Sequence, residues 1–144
     1  MSLKGEYDPD NVFARIVRGE ITCAKVFEDA ETLVFMDAFP QSRGHMLVIS
    51  KQSRARNLLE AAPEVVSILV LNAQRAAQAV CRALKPDGVV ITQFNGAAAG
   101  QSVFHLHIHV IPRWESQALK GHASSGGADR GELEALAREI SAVF

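Results

Sequence analysis

Between Phe104 and Val110 the chain reads Phe-His-Leu-His-Ile-His-Val, placing His105, His107 and His109 at every second position with apolar residues between them. Strict alternation is the pattern of a β-strand with two unlike faces, so the three imidazoles project together while Leu106, Ile108 and Val110 pack inward. Successive rings stand roughly 6.5 Å apart on the pleat, close enough to act on different atoms of one ligand. Crowded imidazoles suppress one another's protonation. The rings are therefore expected to be mostly uncharged near pH 7, on an outward-facing surface, with at least one able to serve as nucleophile or base. His122, in a polar loop, reads as a solvated side chain.

Two chemistries suit such a strand. His-x-His can bring two ring nitrogens to one Zn²⁺, and catalytic zinc sites often use three protein ligands and a water. The outer pair, His105 and His109, would lie roughly 13 Å apart on an extended strand, too far for all three rings to meet one ion unless the strand bends. Nucleophilic catalysis on phosphorus fits better: the central imidazole attacks, and flanking groups stabilise charge on the phosphoryl oxygens. Asn95, Gln101 and Ser102 lie on the connection into the strand, where the Gly100 backbone could approach a phosphate closely.

The elements that must position these residues read as an α+β domain. Asp10 reads as the N-cap of a brief helix bearing Phe13, Ile16 and Val17 on one face, with Gly19 as its stop. Ala24 to Glu28, Thr32 to Met36 and His45 to Ser50 read as strands of a meander. Pro63 opens a long helix in which Val66, Leu69, Val70, Ala73, Ala76, Ala77, Val80 and Leu84 recur at helical spacing until Lys85-Pro86-Asp87-Gly88. Val89 to Asn95 and Val103 to Ile111 are expected to pair antiparallel across Gly96 to Gly100, with Pro112 ending the last strand. Ser124 to Gly127 reads as a flexible stretch, and Leu133, Leu136, Ala137 and Ile140 mark a C-terminal amphipathic helix over about residues 130 to 143.

Composition narrows the class. The 144 residues suit one domain spanning 1–144, and 15 Lys+Arg against 16 Asp+Glu leave a net charge of −1, without the basic excess of a nucleic-acid binder. Cys23 and Cys81 are the only cysteines; no signal-peptide pattern or membrane-length apolar run is present, so a cytoplasmic protein with inert thiols is expected.

The run from Asn95 to Arg113, NGAAAGQSVFHLHIHVIPR, resembles the signature of the histidine triad (HIT) nucleotide-binding proteins, Hint-like branch. The resemblance continues through Asn11 to Phe13, Arg18 to Ile21, Phe35 to Asp37, and Pro40-Gln41 to Ile49, covering about residues 10 to 113. It implies a five-stranded antiparallel sheet with one long helix packed on it, and homodimers whose sheets join. The implied reaction is hydrolysis or transfer of a nucleoside monophosphate, usually AMP, from a phosphoramidate or anhydride without metal or other cofactor. The partner is thus a purine nucleotide such as an AMP conjugate. By the same resemblance His107 is the nucleophile. His105, His109 and His45 orient it and contact the phosphoryl group, and Ser102 and Gln101 bind phosphate oxygens or the leaving group. Asp37 accepts from the ribose hydroxyls, and Asn95 is a further phosphate or ribose contact.

Some family members hold a structural zinc with Cys-x-x-Cys, a later His and the first triad His. Asn11, Ala14 and Ser53 stand at the first three of those positions, so no structural zinc is expected. Ser50 replaces a usual Pro. Arg43, Lys51, Arg54 and Arg56 form a modest basic cluster, read as a solvated face ahead of a leaving-group contact. Dinucleoside polyphosphate hydrolysis, a purine-nucleotide-binding module without turnover, and a zinc hydrolase remain as alternatives.

Overall fold

The first helix, α1 (Val12–Val17), is capped by Asn11, whose side-chain oxygen accepts from the Ala14 N–H at 2.9 Å. The cap thus falls one residue after Asp10. In this computed structural model, which describes residues 3–118 and 127–144, five strands follow: β1 (Lys25–Glu28), β2 (Thr32–Met36), β3 (Met46–Ser50), β4 (Gly88–Thr92) and β5 (His107–Arg113). Helix α2 (Pro63–Leu84) precedes β4, and α3 (Arg130–Ser141) follows β5. His122 and the stretch 124–126 lie outside the described residues.

The sheet runs β1-β2-β3-β5-β4 with every neighbouring pair antiparallel, as the α+β reading with its expected sheet requires. β5 is an interior strand next to the β4 edge, bonded to β3 through Leu47↔His109 and Ile49↔His107, and to β4 through Thr92↔His109. It begins at His107, four residues later than the alternation indicates. The Leu106 N–H donates to Ala55 O at 3.0 Å, which ties the segment before β5 to the loop after β3. Pro112 lies within β5 instead of ending it, beyond Val110, the last residue paired with β3, where its missing N–H removes no bond to that strand.

Alternation gives each strand two faces. Val34, Met36, Met46, Val48, Ile108 and Val110 join the core under α2 and α3, with Leu69, Ala73, Ala76 and Val80 of the long helix. Leu33, Phe35, Leu47 and Ile49 face the other way and pack with Phe13 of α1. Val70, expected on the buried stripe of α2, is instead 52 % exposed, beside the edge strand β4. The helix ends at Lys85, a left-handed C-cap with φ of 53°. The loop that delivers His45 to β3 turns at Gly44, φ +89°, where a Cβ would stand 2.6 Å from Leu84 Cδ1; only glycine lets this turn lie against α2.

Candidate active site

The imidazoles occupy the face that α1 covers, and they are not on an open surface. His105, His107 and His109 are 2 %, 7 % and 3 % exposed, and His45 is fully buried. The sequence pattern separated the faces correctly, but it carried no sign that a short helix far upstream would roof one of them. Phe13 of α1 lies edge-on to the His107 ring with centroids 4.9 Å apart, and His107 and His109 are 5.0 Å apart.

Because backbone N–H groups only donate and carbonyls only accept, the partners assign which nitrogen carries the proton in each ring's uncharged form. His107 Nδ1 is 2.7 Å from His105 O, so Nδ1–H donates and Nε2 carries the lone pair. His105 Nε2 lies 2.9 Å from Ser50 O and donates to it, leaving Nδ1 to accept from the Tyr7 hydroxyl at 2.7 Å. His45 Nδ1 accepts from the Gln41 N–H at 3.0 Å, which puts its proton on Nε2, 3.0 Å from His109 Nδ1. His109 Nδ1 therefore accepts and its Nε2 bears hydrogen. One ring presents a lone pair and the next a donor. Burial holds the His105 pKa down at about 4, with the nearby His107 adding to the effect and the Ser50 carbonyl opposing it.

Asp37 follows β2, is 4 % exposed, and accepts from the Phe39 N–H at 2.8 Å through Oδ1. Its Oδ2 is 3.4 Å from His45 Nε2. Asp37, His45 and His109 form a buried group whose ligand atoms lie within 4.8 Å of one another, the size of a cation site. The donor set fits a metal poorly, since the Gln41 N–H holds the proton on the His45 nitrogen that would have to ligate. The strand pair His105 and His107 forms no such group with a third ligand among the described residues.

A cavity of about 410 Å³ opens over His107 and His109, bounded by Phe13 and Ile16 of α1, Phe35, Leu47 and Asp37. Its volume suits a small-molecule ligand, and the lining is mostly apolar with few polar groups. Cys23 also lines it, which nothing in the sequence signalled; burial pushes its thiol up, outweighing the opposing influence of Lys25 and Arg130.

Asn95, Gly100, Gln101 and Ser102 do not line this cavity. The Gln101 side chain, expected on a phosphate, is 4 % exposed; its oxygen accepts from the Gly96 N–H at 2.8 Å, and its nitrogen donates to Arg56 O at 2.6 Å and Val103 O at 3.1 Å. It braces the loop. Asn95 Oδ1 likewise accepts from the Leu58 N–H at 2.9 Å and from Gln93 Nε2 at 2.8 Å. Gly100 has φ of +108° and its N–H closes a 3-10 turn (Ala97–Ala99) by donating to Ala97 O. The Gly100 N–H thus has a partner within the turn, and its positive φ is a conformation that glycine adopts freely. Ser102 is exposed at the end of this loop.

The basic cluster does not assemble as a whole, although Lys51 and Arg54 line one pocket. Lys51 pairs with Glu28, Arg43 lies 3.9 Å from Glu139, Arg54 covers the Tyr7 ring, and Arg56 is buried over Phe104. At the positions of the family's zinc ligands, Asn11 caps α1, Ala14 is buried, and Ser53 accepts from the Ala55 N–H. Ser50, in place of the usual Pro, accepts from the Ser53 N–H at 3.0 Å and so shapes the turn after β3.

Buried imidazoles on an interior strand, a roofing helix and an adjoining apolar cavity define a histidine-triad domain. Residues 18–116 match the HIT domain family model, and the chain belongs to that family. It is 36 % identical over 135 residues to the adenylylsulfatase HINT3 of Arabidopsis thaliana, covering 90 % of this chain and 68 % of that protein. It is also 36 % identical over 131 residues to the adenosine 5'-monophosphoramidase hnt1 of Schizosaccharomyces pombe, covering 90 % and 95 %. Among solved structures, a Hit-like protein from Bartonella henselae superposes with a TM-score of 0.91 at 40 % identity, covering 97 % of this chain and all of that one.

Proposed function

We propose that the protein hydrolyses nucleoside 5'-phosphoramidates or related adenylates through a nucleotidyl-histidine intermediate. The observation that carries this reading is the 2.7 Å bond from His107 Nδ1–H to the His105 carbonyl, which fixes the lone pair on His107 Nε2 beside the cavity. That nitrogen attacks the α-phosphorus, an Nε2–P bond forms, and the bond from phosphorus to the leaving amine or acyl oxygen breaks. The His105 carbonyl then faces the positive charge gained by the ring. His109 Nε2–H, one position along, donates to a phosphoryl oxygen or to the departing atom. Water cleaves the Nε2–P bond in a second step and restores the ring.

The apolar cavity takes the nucleoside, with Asp37 accepting from the ribose hydroxyls and Ser102 reaching the leaving-group side. Gln101, Asn95 and Gly100 act by holding the loop. The relatives named for an adenylylsulfatase and an adenosine monophosphoramidase support nucleotide P–O or P–N cleavage as the reaction class. The test compares turnover of adenosine 5'-phosphoramidate with that of a diadenosine polyphosphate, in chelator, for the wild type and His107→Ala. Faster cleavage of the phosphoramidate, lost in the variant, is expected. Faster cleavage of the polyphosphate would move the substrate class, and nucleotide binding without turnover would make this a binding module.

The homodimer belongs to the same proposal. Strand β4 is a sheet edge, and its Val90 and Ile91 are 38 % and 51 % exposed, with Val70 of α2, 52 % exposed, beside Ile91. An apolar edge of this kind is suited to a second copy that continues the sheet. Sedimentation of the wild type as a dimer and of Ile91→Glu as a monomer is expected; a monomeric wild type would overturn it. No helix among the described residues is long and apolar enough to cross a membrane.

A further inference from the structure

One wall of the cavity comes from outside the family match. That match ends at residue 116, yet Gly127, Ala128, Arg130 and Leu133 line the space over His107 and His109. The segment is firmly docked. The Ala128 N–H donates to Ala38 O at 2.9 Å, next to Asp37; Leu133, Ala137 and Ile140 are buried, and Phe144 stacks on Phe27 with centroids 4.6 Å apart. Arg130 is the only Lys or Arg among the described residues lining the cavity. Its Nε donates to Glu134 Oε1 at 3.0 Å, an i,i+4 pair along α3 that leaves the two Nη groups as the remaining donors of the guanidinium.

The sheet sets where Arg130 stands along a bound nucleotide. His107 and His109 lie on β5, Leu47 on β3, Phe35 on β2, and Thr22-Cys23-Ala24 leads into β1, so the cavity crosses four neighbouring strands. Three steps of about 4.8 Å carry it about 14 Å from the nucleophile. With phosphorus at His107 and ribose at Asp37, the base is directed to the β1 end. Helix α3, which Arg130 begins, packs against β1, and Arg130 lines the cavity with Thr22, Cys23 and Ala24, so the guanidinium belongs to that end.

We propose that Arg130 is a specificity-determining residue that reads the purine edge, on a base-binding wall that the C-terminal segment adds to the family core. The inference rests on the nucleotide reading of the cavity given above. A guanidinium presents donors only, in a fork. The paired acceptors O6 and N7 of guanine or hypoxanthine satisfy both prongs, whereas adenine sets its N6 donor beside the N7 acceptor. Arg130 therefore extends the accepted substrates from adenine to 6-oxopurine nucleotides.

Calorimetric Kd values for GMP and AMP, measured on wild type, Arg130→Ala and Arg130→Lys, test this. The AMP-to-GMP ratio of Kd is expected to fall about tenfold in Arg130→Ala, near the low end of what one bidentate guanine contact contributes. Arg130→Lys is expected to recover only part of it, because a point charge lacks the fork. Circular dichroism establishes that each variant is folded, and Arg130→Lys carries the comparison if Arg130→Ala is not. A ratio unchanged in the folded variants overturns the base-reading role while leaving the nucleotide reading intact. A wild type that binds neither nucleotide overturns both.

Discussion

The two sides of His107 are built in opposite ways. On the cavity side, Phe13, Phe35 with Asp37, Leu47 and the C-terminal segment meet from four separate stretches of chain, and they leave a space of about 410 Å³. On the loop side, Asn95 to Ser102 is local, and the side chains of Gln101 and Asn95 bond to their own surroundings. The contrast teaches that polar side chains beside a histidine strand can be taken up by the protein's own backbone. Apolar residues distributed along the chain line the cavity, and the polar loop braces the segment that leads into β5.

The largest effect expected on this contrast is at the shared centre. His107→Ala should lower turnover by at least about 10³-fold while nucleotide binding persists, because the cavity walls remain; single-turnover kinetics and calorimetry check the split. Loss of both would mean that the ring holds the cavity together.

Acid should act through His105, between the two sides. A pKa of about 4 in the folded chain against about 6.5 unfolded means that the unfolded state binds the proton first. The stability is fully present above pH 6.5 and is lost as pH falls towards 4, by ~3 kcal/mol over that window. Urea unfolding at pH 7 and pH 4 measures the fall, and His105→Asn should flatten it by a similar amount.

Gln101→Ala sharpens the comparison from the loop side. It strips partners from the Gly96 N–H and from the carbonyls of Arg56 and Val103, which should cost about 2 kcal/mol of stability. The Michaelis constant should change little. A large rise in KM with unaltered stability would return Gln101 to the phosphate. Asp37→Asn is the cavity-side counterpart and the smallest effect, a loss of about tenfold in kcat/KM that should disappear on substrates lacking the ribose hydroxyls.

Local pattern accounts for what could be read in advance. The period-two alternation separated His107 and His109 from Ile108 and Val110, and helical spacing from Pro63 to Lys85 located α2 to the residue. The resemblance carried the five-stranded sheet. Long-range contacts were not legible: the α1 roof over the imidazoles, the pairing of His45 with His109, and the wall from Gly127 to Leu133 each join residues far apart in sequence. The displaced start of β5 has the same origin, since Ala55 and Ser50 capture the segment before it. The bonds of Gln101 to Gly96, Arg56 and Val103 were not legible either, because an amide suits a phosphate and a buried backbone equally well.

The most direct measurement is mass spectrometry of protein quenched during turnover of adenosine 5'-phosphoramidate. An added adenylyl group on the peptide containing His105, His107 and His109, absent in His107→Ala, is the predicted result. Turnover at full rate with no adduct at any time point, or an adduct that survives in His107→Ala, would contradict attack by the His107 lone pair.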